Sequence, residues 1–355
     1  MKHPVGNIPD PNDHSTAAPA VSVLMPCYNV AETVDEAIES IVAGTFTDFE
    51  LLAVDDGSTD STAERLQAWS LREGRVRVLE RGHAGIIPAL NAGLAACRAA
   101  LVARMDADDR CHPERLERQV EQMRAHPELA LVGSLVEGFP VDDVRGGFQA
   151  YIEWLNHLVD HESIAREIFI ESPFAHPSVM FRKRWVAQVG GYVERGWPED
   201  YDLWLRLYLA GAHFAKVPEV LLYWREHPDR LTRTDARYAV SQFLRAKAHY
   251  LTLGPLKDRD AVIVWGAGQM GRRIAKHLDR AGAPLAAFID IDPGKIGRQK
   301  RGKPVLPPES LPGELAGYRN PVVLAAVGSR GARALIRERL SGMGLREGLD
   351  WWAVA

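Results

Sequence analysis

Cysteine is scarce in this 355-residue chain: Cys27, Cys97 and Cys111 are scattered and never paired as CxxC. That spacing argues against a disulfide framework or a zinc site and suits a reducing compartment. Long apolar runs are also missing. Nothing approaches the roughly 20 apolar residues that a membrane helix needs, and the opening MKHPVGNIPDPNDHS has no apolar signal core. Net charge is small, with 43 Lys+Arg against 47 Asp+Glu leaving −4, so a general nucleic-acid binder is not indicated. The short basic run QKRGK (Gln299 to Lys303) reads as a solvated loop. Together these absences predict a cytoplasmic protein and leave peripheral association with the inner face of the membrane open.

What is present is an ordinary globular composition, 46% hydrophobic and 25% charged, in a chain long enough for two domains. Residues 1–18 read as a disordered leader. The apolar run VSVLMP then predicts a buried strand, followed by TVDEAIESIVAG with Val34, Ala37, Ile38 and Ile41 on one helical face. ELLAVDD is a second strand, and Ser61 with Glu64 forms a candidate capping box for a helix carrying Leu66 and Trp69. RVRVLE, PALNAGLAACRAA and AALVARMDADD continue the alternation, and Pro113 opens a further helix at its first turn. Repeated βα units predict an α/β fold with a largely parallel sheet and a ligand site at the carboxyl ends of its strands.

Those strand ends are polar. Pro26, Tyr28 and Asn29 follow the first strand, Asp55 and Asp56 the second, and Asp106, Asp108 and Asp109 the fourth. Acids so close repel one another unless a cation sits among them, and oxygen ligands suit Mg²⁺ or Mn²⁺ shared with phosphates. Taken singly, the same acids also serve as turn formers and helix caps. In GWPEDYDLW, Pro198 at a helix start places Glu199 and Asp200 in the first turn, where a carboxylate is favoured as a base or simply as a helix stabiliser.

The ordered motifs PCYN, AVDDGSTDST, ALNAGL, ARMDADD, HPSVMF, GGY, PEDYDLWLRL and REH span roughly Ala20 to Thr234 and resemble the GT-A glycosyltransferases of family 2. The resemblance implies a metal-dependent, inverting enzyme. It would transfer a sugar from a nucleotide sugar, with UDP the expected nucleotide, to a glycan or glycolipid acceptor in cell-surface polysaccharide or glycoconjugate synthesis. Pro26, Tyr28 and Asp56 would then hold the base, while Asn91, with Arg81 or His83, would approach the ribose or diphosphate. Asp108 would bind Mn²⁺ or Mg²⁺ directly, Asp106 would reach the ribose or a metal-bound water, and His227 would complete the metal or pyrophosphate site. Asp200 would be the base. Glu199 would orient the site or touch the donor sugar, and Gly191, beside Gly190, would let the backbone lie close to it. Trp154, Asn156, Trp197 and Tyr201 are candidates for an acceptor platform, with core packing as the competing use.

A helical connector over 236–257 leads to a second start at 258–355. There AVIVW runs into GAGQMG, so Gly266, Gly268 and Gly271 form GxGxxG between a strand and a helix, and Asp290 and Asp292 close FIDID where a ribose-binding acid would fall. A smaller Rossmann-like domain is predicted, resembling appended nucleotide- or sugar-nucleotide-binding domains. Bound NAD(P) is not expected, because too few residues remain for a dehydrogenase's substrate domain and no tyrosine has a lysine four places on. A regulatory or binding role and a shell that packs or makes a homo-oligomer stay open. An NAD(P)-dependent sugar-nucleotide oxidoreductase and a catalytically silent sugar-nucleotide sensor are the competing functions.

Overall fold

The computed structural model describes residues 18–329 and 331–355, so the expected leader lies, but for Ala18, outside the described residues. The first four strands are β1 (Val21–Cys27), β2 (Phe49–Asp55), β3 (Val76–Glu80) and β4 (Leu101–Arg104), with helices α1 (Val34–Val42), α2 (Thr62–Arg72) and α3 (Ile86–Ala96) between them. All four strands run parallel. Cys27 stands opposite Asp55, Asp55 opposite Glu80, and Leu24 opposite Arg104, so the chain leaves the sheet along one edge. β1 and β2 read as nearly unbroken apolar runs because both their faces are covered. Leu24, Leu52 and Val54 pack with Leu90 and Leu94 of α3, while Val23, Leu51 and Ala53 pack with Ile38 and Ile41 of α1. Gly93 lets α3 settle on β1, since a Cβ there would stand 2.2 Å from Leu24 Cδ1.

Beyond β4 the alternation gives way to a mixed sheet. β5 (Arg110–Cys111), α4 (Arg115–Ala125), β6 (Leu129–Phe139), α5 (Gly146–Asn156), α6 (His161–Glu167), β7 (Met180–Arg182), α7 (Lys183–Gln188), α8 (Glu199–Leu209), β8 (His213–Arg225) and α9 (Leu231–Thr234) follow. The eight-stranded order is β3-β2-β1-β4-β7-β6-β8-β5, with β7 antiparallel to β4 and β6. Three local expectations shift. Ser61 makes no side-chain cap bond, and the Asp60 carboxylate accepts from the Thr62 N–H instead. Pro113 precedes the Glu114 cap of α4, and Pro198 is itself the cap of α8, so each stands just outside its helix.

Next come α10 (Val240–Leu253), β9 (Ala261–Trp265), α11 (Gln269–Arg280), β10 (Leu285–Ile289), β11 (Gln299–Lys300) and β12 (Lys303–Leu306). After them stand α12 (Leu311–Ala316), β13 (Pro321–Ala325), α13 (Ala332–Gly342) and β14 (Trp351–Ala353). Their sheet has the order β11-β12-β10-β9-β13-β14, parallel except for the β11–β12 hairpin that carries QKRGK. The protein is therefore α/β throughout. Lys247 of α10, buried, donates to the carbonyls of Ile170 and Val354, and Glu167 of α6 accepts from Arg333 and Arg337 of α13. Ile170 itself packs into the core of the second sheet with Ile263 and Trp265.

Candidate active site

The turn after β4 gathers the acids. Oxygens of Asp106, Asp108 and Asp109 lie within 4.8 Å of one another, as the motif led us to expect. Thr33 Oγ1 fixes the turn by donating to the Ala107 carbonyl at 2.9 Å, and Arg225 Nε donates to the Asp108 carbonyl at 2.5 Å. Asp109 is 1% exposed; one carboxylate oxygen accepts from the Arg225 N–H at 2.7 Å and the other is buried with no partner. Burial, added to the charges of Asp108 and Asp106, pushes Asp109 well above the usual carboxylate range. Asp106 is also raised, by burial first and then by Asp108, against the pull of Arg104. Asp108 goes the other way: burial is outweighed by His227, whose Nε2 stands 3.0 Å from Asp108 Oδ2, and its pKa is lowered. An acid cluster with an orphaned oxygen and two carboxyls pushed toward their neutral forms fits a hard divalent cation.

Asp200 shares a cavity of about 650 Å³ with Asp106 and Asp108, together with Arg104, His176, Glu171 and Glu199. Its carboxylate accepts from the Tyr201 N–H at 2.6 Å, and burial plus the neighbouring Glu199 pushes its pKa up to about 8. Glu199 is 2% exposed and accepts from the Tyr238 hydroxyl at 2.8 Å, with burial raising its pKa as well. Apolar walls come from Phe148, Tyr151, Phe174, Trp224 and Phe243.

Other candidates stand at the same sheet edge. Tyr28 is exposed and stacks on His83 with ring centroids 4.1 Å apart, while Pro26 lies within β1. Asp56 is buried; its carboxylate accepts from the N–H groups of Ala84 and Gly85, at 3.1 and 2.7 Å, and faces His83 at 2.9 Å. Asp55 braces the turn by accepting from the Ser58 hydroxyl. Asn91 spends its amide on the chain at Tyr192, donating to the carbonyl at 2.8 Å and accepting from the N–H at 2.9 Å. Gly191 has φ +71, and a Cβ there would meet Asn91 Oδ1 at 2.8 Å, so glycine is required for this clasp.

The candidate platform residues do not line this cavity, and core packing, the competing use, prevails. Trp197 is buried and donates to Asp202, Tyr201 donates to the Ile168 carbonyl, and Asn156 clamps Val136 on both sides. Trp154 donates to Glu167 at 2.9 Å. These side chains are spent on the core and on strand and helix ties. The residues missed were Arg104, Tyr238 and Tyr151; for Arg104 the signal was its place in ARMDADD, beside the acids.

The glycine turn of the second sheet shapes a separate cavity of about 810 Å³. Gly266 has φ +117, and a Cβ on Gly271 would lie 1.7 Å from the Gly266 carbonyl oxygen. Asp290 is tied inward, accepting from the N–H groups of Ala267 at 2.8 Å and Asp292 at 2.9 Å, with Lys295 at 3.3 Å. Met270 and Gly328 line both this cavity and the one holding Asp200, while Gly268 lines only this one.

Residues 22–190 match the sequence profile described as Glycosyl transferase family 2. The amylovoran biosynthesis glycosyltransferase AmsE of Erwinia amylovora is 35% identical over 60% of this chain and 78% of its own length. The O-antigen biosynthesis glycosyltransferase WbnJ of Escherichia coli is 30% identical over 64% of this chain and 90% of its own. Among solved structures, residues 1–349 of S. aureus TarS in complex with UDP-GlcNAc share the fold with a TM-score of 0.55 at 18% identity, over 73% of this chain and 72% of that one. Ordered motifs, sheet topology and relatives agree, and the chain belongs to glycosyltransferase family 2.

Proposed function

We propose that the protein is an inverting, metal-dependent transferase that moves a sugar from a UDP-sugar to a hydroxyl of a glycan or glycolipid in cell-surface polysaccharide synthesis. One observation carries this: the acid turn after β4 and Asp200 of α8 open into one cavity, so a leaving diphosphate and an attacking hydroxyl can be served together. Asp108, Asp106 and His227 would hold Mn²⁺ or Mg²⁺, whose chemistry is to neutralise charge developing on the departing diphosphate. Tyr28, Pro26 and Asp56 would seat the base, with the Asn91 clasp and Gly191 shaping the backbone beside the sugar. Asp200, once ionised, takes the proton of the acceptor hydroxyl as that oxygen attacks the anomeric carbon and the diphosphate leaves from the opposite face. Glu199, held by Tyr238, keeps the first turn of α8 in place.

The relatives' names motivate the pathway. One further relative, 28% identical over 70% of this chain and 90% of its own length, is the UDP-Gal:alpha-D-GlcNAc-diphosphoundecaprenol beta-1,3-galactosyltransferase of Escherichia coli. No helix among the described residues is long and apolar enough to cross a membrane, and the three cysteines are buried free thiols, which supports a cytoplasmic setting. We read the cavity at Gly266, Gly268, Gly271 and Asp290 as a nucleotide-sized binding site with no reaction of its own. The test is a panel of nucleotide sugars with Mn²⁺, following release of the nucleoside diphosphate. Release from a UDP-sugar that vanishes in Asp200→Asn supports the assignment, and no release from any donor overturns it.

A further inference from the structure

Arg104, the last residue of β4, is 2% exposed and lines the cavity that holds Asp106, Asp108, Glu199 and Asp200. A guanidinium carries five N–H donors and no acceptor, and burying such donors unmatched is costly. Arg104 is left that way. Its Nη1 is taken by the Asp106 carboxylate as an ion pair, but its Nε is buried with no acceptor.

Arg115 is buried as deeply and is fully partnered. It is 1% exposed, and each of its nitrogens is engaged: Nε with Gln119 at 3.2 Å, Nη1 with Met105 Sδ at 3.3 Å and Nη2 with the Arg104 carbonyl at 2.7 Å. Arg115 is absent from the cavity wall, where Arg104 stands. Arg81, Arg110, Arg118, Arg166, Arg206 and Arg237 also bury an unmatched nitrogen, and among the described residues Arg104 is the one of these arginines that lines the cavity.

Resting on the transferase reading above, we propose that Arg104 is a donor-sugar contact, its guanidinium donating to an oxygen of the sugar being transferred. The position favours sugar over phosphate. On the transferase reading Asp108 and His227 stand at the diphosphate end, whereas the charge of Arg104 acts on Glu199 and Asp200, beside the carbon under attack. Asp106 fixes the guanidinium from one side, and a ring bearing several hydroxyls supplies the acceptors that the protein withholds.

The experiment is calorimetry in Mn²⁺ on the full chain with UDP, UDP-glucose, UDP-galactose and UDP-GlcNAc. Wild type is expected to bind one UDP-sugar more tightly than UDP. In Arg104→Gln that UDP-sugar should lose roughly tenfold in affinity, as for a lost charge-assisted hydrogen bond, while UDP changes by less than about twofold. Arg104→Lys keeps the charge, guards against a folding failure of the Gln variant, and should lose most of the same increment because the planar fork is gone. Equal losses for UDP and UDP-sugar, or no loss for either, would overturn the inference. A wild type that takes UDP but gains nothing from any sugar would overturn it too and leave the transferase reading standing; one that takes no nucleotide would overturn both.

Discussion

Three parallel strands in this protein run into aspartates, and the sets after β10 and β4 are wired in opposite ways. After β10, Asp290 has both oxygens answered by its own domain, through Ala267, Asp292 and Lys295. After β4, Asp109 keeps an oxygen with no partner, and Asp106 and Asp108 crowd it across the mouth of a cavity. The first arrangement holds a glycine turn in shape. The second stores repulsion that a cation would relieve, and it lies in the cavity that also holds Asp200. Acidic strand ends look alike in a sequence; what separates a brace from a site is whether the local N–H groups and cations have already satisfied the carboxylates.

The largest expected effect comes from removing the base. Asp200→Asn should cut transfer by roughly 10²- to 10⁴-fold in a coupled diphosphate-release assay while leaving Mn²⁺-dependent UDP binding intact. Next, Asp108→Asn should cost on the order of 10²-fold in rate, and calorimetry should show the Mn²⁺ dependence of UDP binding gone. If Asp108→Asn and Asp290→Asn behaved alike in that titration, the contrast between the two acid sets would fail. Asp290→Asn is expected to lose about 1–2 kcal/mol of stability in urea unfolding, since the Lys295 pairing goes and a backbone bond weakens, with UDP affinity held.

A pH profile sharpens the comparison further. With Asp200 pushed up to about 8 by burial and Glu199, the rate should rise about tenfold per pH unit below that value and level off above it. The smallest effect is thermal. An acid whose folded pKa is raised favours the fold while protonated and loses that contribution as pH climbs through about 8. Asp200→Asn should therefore melt several °C higher than wild type at pH 9 and near its value at about pH 4 and below, where the folded and unfolded carboxyls both become protonated.

The strand ends, the acid turn and α8 were legible because short-range patterns encode them: apolar runs of strand length, helical periodicity, and acids at the exit. The expectations for Tyr28, Asp56 and Asp200 came from motif order. What the pattern could not carry was pairing across the chain. Asn91 and Tyr192 are 101 residues apart, and nothing near Asn91 announces that its amide will be used up there. Trp197 and Tyr201 look like a sugar platform until Asp202 and the Ile168 carbonyl claim their polar atoms. Arg104 drew no reading of its own from the sequence, since its unmatched Nε and its place in the cavity wall exist only in three dimensions.

Met270 falls inside the glycine motif GAGQMG, yet it lines both cavities, with Gly328 beside it. Part of the wall of the Asp200 cavity is thus supplied by the unit that carries no transferase motif. A chain cut before β9 would not be a smaller enzyme with an accessory removed. It would lose Met270, Gly328 and Ala355 from the wall of the cavity that holds Asp200.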